Sequence, residues 1–574
     1  MSDKATKETG NLKKILLACP PFHHPTLSSI AVTSMATWLR EQGVDCEEAF
    51  FHLELMRIVG QEVYYNSVER RKGNVAELLF AEAIHGNVSP AYAAQLTDFF
   101  GDRKQRDAIT AEFGEQCLQR ILLFGAEIVG FTTSYNQMMA SLFLSQLVKK
   151  YTDARVVLGG TQCSDAMGAA LLKAYPHVDY VVSGYGEAPL LKLCQGNFPK
   201  EGLIQAATPP EFQNASLPDY RHFRREAEEY GLNPEKEINI QYQSSRGCWW
   251  GEKKHCTFCG LHRSHLLYEA KTTDRVIEEI RTLFERYGQT IMTTDAVLSL
   301  THLRNAIPKL GTFEQRPWLF YELKVNLTEG DVMALAKAKV IVQMGIESLS
   351  TRLLKMMNKG ATAIRVIAAL KWSREHHLIG KWNLLYKIPQ EKVADYREQI
   401  DIMKKIPHLP PPRILGPIHI DRFSPYFDNY KDYGWTAIHP APEYREAHPH
   451  VDEQTLEDLA YHFEGEGNNR EDGYFDDLQA AFDEWHTRHD RGDGLFLNPI
   501  QGLVRIENDK ETVISLDEEE AKIIGATHEI IPIKNLIDQI GCSEDTITRM
   551  ASSDLLFVEN KRVVNLTVRT ELPN

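Results

Sequence analysis

The chain has 574 residues, 43% of them hydrophobic and 25% charged, with a formal net charge of −15 at pH 7. That length accommodates about three domains, and the composition is ordinary for a globular protein. The acidic balance argues against nucleic acid or an anionic membrane as the main partner. No run of about 18 apolar residues marks a membrane span.

The first residues, Met1-Ser-Asp-Lys-Ala-Thr-Lys-Glu8, are polar and lack an apolar signal core. Lys14 to Cys19 reads as a buried strand stopped by Pro20 and Pro21. A helix is expected over Ile30 to Gln42, ended by Gly43. Residues 51 to 120 look helical and polar. Three short apolar strands follow, Glu127 to Thr132, Arg155 to Gly160 and Asp179 to Gly184, separated by helix-like segments. Strands alternating with helices predict a doubly wound parallel sheet in an α/β domain over residues 1–207. Its ligand-binding loops, at the carboxyl ends of the strands, would carry Gly159-Gly160-Thr161 and Gly184-Tyr-Gly186-Glu187.

A polar stretch with prolines, residues 208–236, is the expected linker. From 237 to 434 the strand–helix pattern repeats about six times, which predicts a partial (β/α)6 barrel rather than a closed eight-fold one. Residues 435–574 read as an acidic helical region. They end in helices and a β-hairpin with its turn at Asn560, the outline of a small winged-helix domain.

The chemistry concentrates in Arg246-Gly-Cys248-Trp-Trp-Gly-Glu-Lys-Lys-His-Cys256-Thr-Phe-Cys259-Gly260. Three thiolates spaced C-x7-C-x2-C can hold three irons of a [4Fe–4S] cluster and leave the fourth iron open to a small molecule. The alternative is a structural zinc completed by His255 or His262. The residues after the triad favour the cluster. Val276, Ile277, Ile280, Leu283 and Phe284 recur at helical spacing, Asp274 suits the helix N-terminus, and 289–295 reads as a strand ending in Asp295. The six other cysteines, Cys19, Cys46, Cys117, Cys163, Cys194 and Cys542, show no pairing pattern, as expected in a reducing cytoplasm.

Together with Glu322-Leu-Lys324, Met344-Gly-Ile-Glu347-Ser348, Lys381-Trp-Asn383 and Asp421-Arg-Phe-Ser-Pro-Tyr426, the cysteine motif resembles radical S-adenosylmethionine (SAM) enzymes. The resemblance is to those with a cobalamin-binding-like N-terminal domain that mature ribosomally made peptides, and it runs over roughly residues 12 to 570. The family usually shows a shorter C-x3-C-x2-C loop; the longer form with paired tryptophans resembles the peptide-maturation branch. The resemblance implies that Cys248, Cys256 and Cys259 ligate the cluster. SAM would chelate the open iron, and an electron from an external donor would cleave it to methionine and a 5′-deoxyadenosyl radical.

By the same resemblance Glu322, Lys324, Glu347, Ser348 and Asn383 are SAM-contacting candidates at strand ends. The bland reading of each is a solvated or lysine-balanced group. Asp295 is a further candidate, although the family's glycine-rich turn at that place is missing here. Trp249 and Trp250 read as loop packing before a substrate role, and Arg422 and Tyr426 as peptide contacts. Cobalamin binding by the N-terminal sheet is weighed against a scaffold that has lost it, since the lower-axial Asp-x-His-x-x-Gly signature is absent.

Two reactions on a precursor peptide compete. Cobalamin-dependent C-methylation is favoured. Radical L-to-D epimerisation needs a hydrogen-donating thiol, and no cysteine lies between Cys259 and Cys542. A zinc-stabilised peptide-binding module is the reading from another class. The resemblance thus implies a precursor peptide and an electron donor as partners, while the acidic charge and the lack of a long apolar run give the expectation of no nucleic acid and no membrane.

Overall fold

A computed structural model describes residues 12–69, 75–134, 136–206, 211–262, 266–288, 290–467 and 471–570. The polar N-terminal tail, residues 208–210 of the expected linker and Gln289 at the head of the 289–295 strand lie outside those residues. The chain forms two compact units. One comprises Met1–Tyr242, Thr282–Met292 and His439–Glu464, the other Gln243–Arg281, Thr293–Ile438 and Gly465–Asn574.

The first unit is built on six parallel strands, β1 (Ile15–Ala18), β2 (Cys46–Ala49), β3 (Ile128–Thr132), β4 (Arg155–Gly159), β5 (Tyr180–Gly184) and β6 (Leu203–Ala206). They are ordered β2-β1-β3-β4-β5-β6. Every residue of β1 is buried, as expected where helices cover both faces of a parallel sheet. Helix α1 (Ile30–Glu41) begins where the Ser29 hydroxyl accepts from the Val32 amide at 3.4 Å. Strand β2 escapes a hydrophobicity reading because its sequence is Cys-Glu-Glu-Ala. Glu48 is nonetheless fully buried, its carboxylate accepting from Arg40 at 2.7 Å. Strand β6, Leu-Ile-Gln-Ala, is a half-exposed edge strand too short to read. Among the described residues the polar 51–120 stretch is five α-helices and one short 3-10 turn, the last helix running from Arg103 to Phe124 behind an Asp102–Gln105 capping box.

The expected linker carries a helix, Arg221–Glu229. Tyr220, Phe223 and Ala227 bury completely beside its charged face, so the polarity of this stretch marks one helical face rather than a tether.

In the second unit, parallel strands β7 (Trp318–Lys324), β8 (Val340–Gly345) and β9 (Gly380–Lys381) pair in order. β10 (Asn383–Tyr386) pairs with β11 (Ile414–Pro417). A bridge from Glu347 to Leu384 carries the curvature between the two groups. Along β7, Leu319, Tyr321 and Leu323 are buried, Phe320 and Lys324 are half-buried and Glu322 is exposed. The concave face of this partial barrel is therefore polar and wet at its carboxyl end, unlike the packed interior of a closed eight-fold barrel.

The same unit contains β12 (Gly494–Asn498), β13 (Gly502–Glu507) and β14 (Lys510–Ile514), an antiparallel meander with β14 at its edge. After it come helix α2 (Glu518–Ala526), strand β15 (Ile531–Pro532), helices α3 (Ile533–Ile540) and α4 (Glu544–Ser552), and the hairpin β16 (Leu556–Glu559)–β17 (Arg562–Asn565). β15 pairs with β17, completing a winged-helix arrangement. Asn560 and Lys561, both at positive φ, form the expected turn. Among the described residues no helix is long and apolar enough to cross a membrane.

Candidate active site

Four of the seven residues between Cys248 and Cys256 form one helical turn, Gly251–Lys254. The Gly251 amide points at Cys248 Sγ at 3.3 Å. Cys256 and Cys259 face each other across a second turn, closed by the Cys259 amide on the Cys256 carbonyl at 3.1 Å. All three cysteines are half-buried and free of disulfides.

The paired tryptophans anchor this loop. Trp249 Nε1 donates to the Leu298 carbonyl at 3.2 Å and Trp250 Nε1 to the Asn358 carbonyl at 2.9 Å. The Thr257 amide donates to Met357 O at 3.1 Å, and the Tyr426 amide donates to Thr257 O at 2.9 Å. The packing role expected of the tryptophans is what the structure shows.

Asp295 secures the approach to the loop from the other side. It is 2% exposed, and its carboxylate accepts from the Ser244 amide and the Ser245 hydroxyl, each at 2.8 Å, and from the Ser244 hydroxyl. Burial pushes its carboxyl above the usual range, against those donors. The carboxylate is thus spent on the chain leading to Cys248.

The strand ends supply the charges. Lys359, which the sequence reading missed, is buried and donates to Glu347 Oε1 at 2.9 Å. Burial alone would depress it, but Glu347 with Cys256 and Cys259 outweighs burial and holds it above the usual lysine value. Lys324 Nζ lies 3.9 Å over the Trp250 ring and donates to Lys359 O. Desolvation, and then Lys359, push Lys324 down to about 8, with Cys256, Cys248 and Glu347 opposing. Glu322 stands in the open concavity, reached by solvent yet surrounded by protein. That partial desolvation, and next Glu347, raise its carboxyl to about 7, with Lys359 pulling the other way.

Burial raises the Cys256 thiol and takes that of Cys259 to about 11. Lys359 opposes the rise at both, and Lys324 also at Cys256. Cluster ligation needs thiolates, and adjacent ammonium groups lower the cost of forming them.

Glu347 sits at φ +67°, uncommon for a residue with a side chain. Its carbonyl accepts from the Leu385 amide at 2.9 Å. Its Oε2 is buried with no hydrogen-bond partner, an acceptor waiting for a donor. Ser348, fully buried, instead donates to Gln399 Oε1 at 2.8 Å and is occupied there. Asn383 opens β10. Tyr426 is 1% exposed and stacks edge-on with Tyr433 and Trp435, bracing the cysteine loop rather than facing a ligand. Arg422 is buried over Phe427.

The signal for Lys359 was present in Asn358-Lys359-Gly360. Gly360 has φ +67°, and a Cβ there would meet the Trp250 ring at 2.2 Å. Only glycine lets this loop close on the tryptophan.

The donor set fits an iron–sulfur cluster at Cys248, Cys256 and Cys259. The unpartnered Glu347 oxygen, with Glu322 and Lys324 on the same open face, fits a zwitterionic ligand beside it. Residues 242–402 match the sequence family described as the Radical SAM superfamily. The chain therefore carries a radical SAM domain and is a radical SAM enzyme, with a [4Fe–4S] cluster and SAM as its cofactors. When bound, that pair supplies a carbon-centred radical able to take hydrogen from an unactivated C–H bond, while the protein positions and shields it.

A protein of Pyrococcus horikoshii named as an uncharacterised methyltransferase is 22% identical over 346 residues, 55% of this chain and 72% of its own. Among solved structures, the radical SAM methyltransferase TsrM of Kitasatospora setae is similar at 16% identity and TM-score 0.49, over 75% of this chain and 79% of that one. The cobalamin-dependent radical SAM enzyme OxsB is similar at 12% identity and TM-score 0.48, over 94% and 70%.

Proposed function

We propose that this radical SAM enzyme is a cobalamin-dependent C-methyltransferase acting on a ribosomally made precursor peptide. The observation that carries the cofactor is in the first unit. Its strand order reverses between β1 and β3, and a cavity of about 290 Å³ opens there, at the carboxyl ends of the strands. Gly130, Gly159, Gly160, Gly184 and Gly186 line it together with Val157, Leu158 and Met35.

An apolar, glycine-lined cavity of that size suits the heteroaromatic tail of a corrinoid. No histidine is among its lining residues, so this wall offers the tail a surface rather than the cobalt a ligand. Bound cobalamin would supply a methyl carrier, and the P. horikoshii relative supports methyl transfer as the reaction.

Epimerisation loses support because the six cysteines outside the triad are all buried. Cys163 Sγ lies 3.1 Å from the Thr133 hydroxyl, and burial pushes its thiol up to about 12. A peptide substrate is supported by β14, the edge strand of its sheet, whose residues Lys510 to Val513 are exposed. An exposed strand edge is a template for an extended chain.

The test is corrinoid retention by the anaerobically reconstituted protein. A Cβ on Gly159 meets nothing within 4 Å, so Gly159→Leu should fold yet fill the slot. Wild type should keep its corrinoid through gel filtration, and the variant should lose it while still releasing 5′-deoxyadenosine. Wild type that never binds corrinoid would sink the proposal. Transfer of a deuterated methyl group from SAM to a peptide encoded beside the gene tests the substrate.

A further inference from the structure

Four side chains from three helices converge where the winged-helix segment meets the barrel. Glu329 opens the helix Glu329–Lys337, Glu375 and His376 close the helix Ala363–Glu375, and His528 lies just beyond α2. The ligand atoms of Glu329, Glu375 and His376 all lie within 4.8 Å of one another. His376 Nε2 is 3.0 Å from Glu329 Oε1, and His528 Nε2 is 3.1 Å from the same oxygen and 3.4 Å from Glu375 Oε2. Ligands about 2.0–2.1 Å from a tetrahedral ion stand roughly 3.3 Å apart, close to these separations.

A further observation points to a missing cation. Glu375 is only 8% exposed, yet its Oε2 has no hydrogen-bond partner. The other oxygen of Glu375 accepts from the Arg569 amide at 2.7 Å, which fixes the carboxylate in place. His528 Nε2 is thus paired with Glu329 and stands beside Glu375, at the edge of the group formed by Glu329, Glu375 and His376.

The neighbouring cations are engaged elsewhere or stand off. Lys371 Nζ donates to His528 O at 2.7 Å, Asn565 Oδ1 at 3.2 Å and Asn565 O at 3.3 Å. The half-exposed Arg569 guanidinium is 3.9 Å from Glu329.

We propose that Glu329, Glu375, His376 and His528 form a second metal site, for a divalent cation of the zinc class, that clamps the winged-helix segment to the barrel. Two carboxylates and two imidazoles are ordinary zinc donors. The absence of thiolate separates this set from the iron–sulfur ligands, and the imidazoles disfavour magnesium and calcium. Glu329 and His376 are only half-buried, which gives the ion a way in.

The test uses the full-length, anaerobically reconstituted protein equilibrated with zinc chloride and desalted. Elemental analysis should find about one zinc per chain beside the cluster iron. X-ray absorption at the zinc edge should show only nitrogen and oxygen near 2.0 Å, without sulfur at about 2.3 Å. Glu375→Gln, which keeps the side-chain shape, and His528→Ala should each lower retained zinc at least tenfold at unchanged iron and sulfide. If His528→Ala fails to fold, Glu375→Gln and a zinc-dependent rise in the wild-type unfolding midpoint still decide the matter. Wild type without zinc, zinc with a sulfur shell, or variants that keep their zinc would show an ion-pair knot only and overturn the site.

Discussion

Replacing Gly360 by alanine tests whether the cysteine loop is held against the strand ends by Trp250. The new methyl would lie 2.2 Å from Trp250 Cη2 and 2.4 Å from Cζ2, on a backbone at φ +67°. A left-handed conformation with a side chain costs about 1 kcal/mol. The ring must retreat by more than 1 Å to restore contact at about 3.5 Å. In doing so it gives up the Nε1 bond to the Asn358 carbonyl, about 1 kcal/mol, and loosens the Lys324 ammonium from its face, about 0.5–1 kcal/mol. The total expected loss is about 3 kcal/mol, concentrated where Trp250 adjoins the turn after Cys248. Urea unfolding followed by tryptophan fluorescence should show it, and the reconstituted variant should retain clearly less iron than wild type. Stability within about 0.5 kcal/mol of wild type at full iron content would refute the reasoning.

Cys256→Ala should abolish 5′-deoxyadenosine release and leave a protein with sub-stoichiometric iron; retained SAM cleavage would remove Cys256 from the ligand set. Lys359→Met removes the cation beside Glu347 and two thiols. With one partner of a buried pair gone, a loss of about 3–5 kcal/mol is expected, with slower cluster assembly, and an unchanged unfolding midpoint would contradict the ion-pair geometry. Glu77 is buried and accepts from the Met139 amide at 2.6 Å, and burial raises its carboxyl to about 7. Because the folded-state value is raised, its contribution is fully present below about 4.5 and is lost as pH climbs through 7. Glu77→Gln should therefore be nearly neutral at pH 5 and stabilising by about 3 kcal/mol above pH 8. Equal effects at both pH values would mean the carboxyl is not buried in the folded protein.

The local sequence was sufficient to single out the cysteine motif and to give the broad architecture. Soft thiolates at C-x7-C-x2-C spacing specify their chemistry without reference to anything distant, and apolar strands such as Ile15–Ala18 announce burial on both faces. Helix 273–287 and the Asn560 turn were legible for the same reason, since periodicity and turn chemistry act within a few residues. Strand Cys46–Ala49 was not legible, because a carboxylate in a strand becomes tolerable only once Arg40 packs against it. The roles of Ser348 and Asp295 were likewise settled by distant partners. Gln399 takes the serine hydroxyl, and Ser244 and Ser245 claim the aspartate, so neither side chain remains open to a ligand. Lys359 reaches Glu347 and the cysteines only after the chain has turned through Gly360. A sequence states which groups are available, but electrostatic pairing and hydrogen-bond satisfaction depend on distance in space, and folding alone sets that.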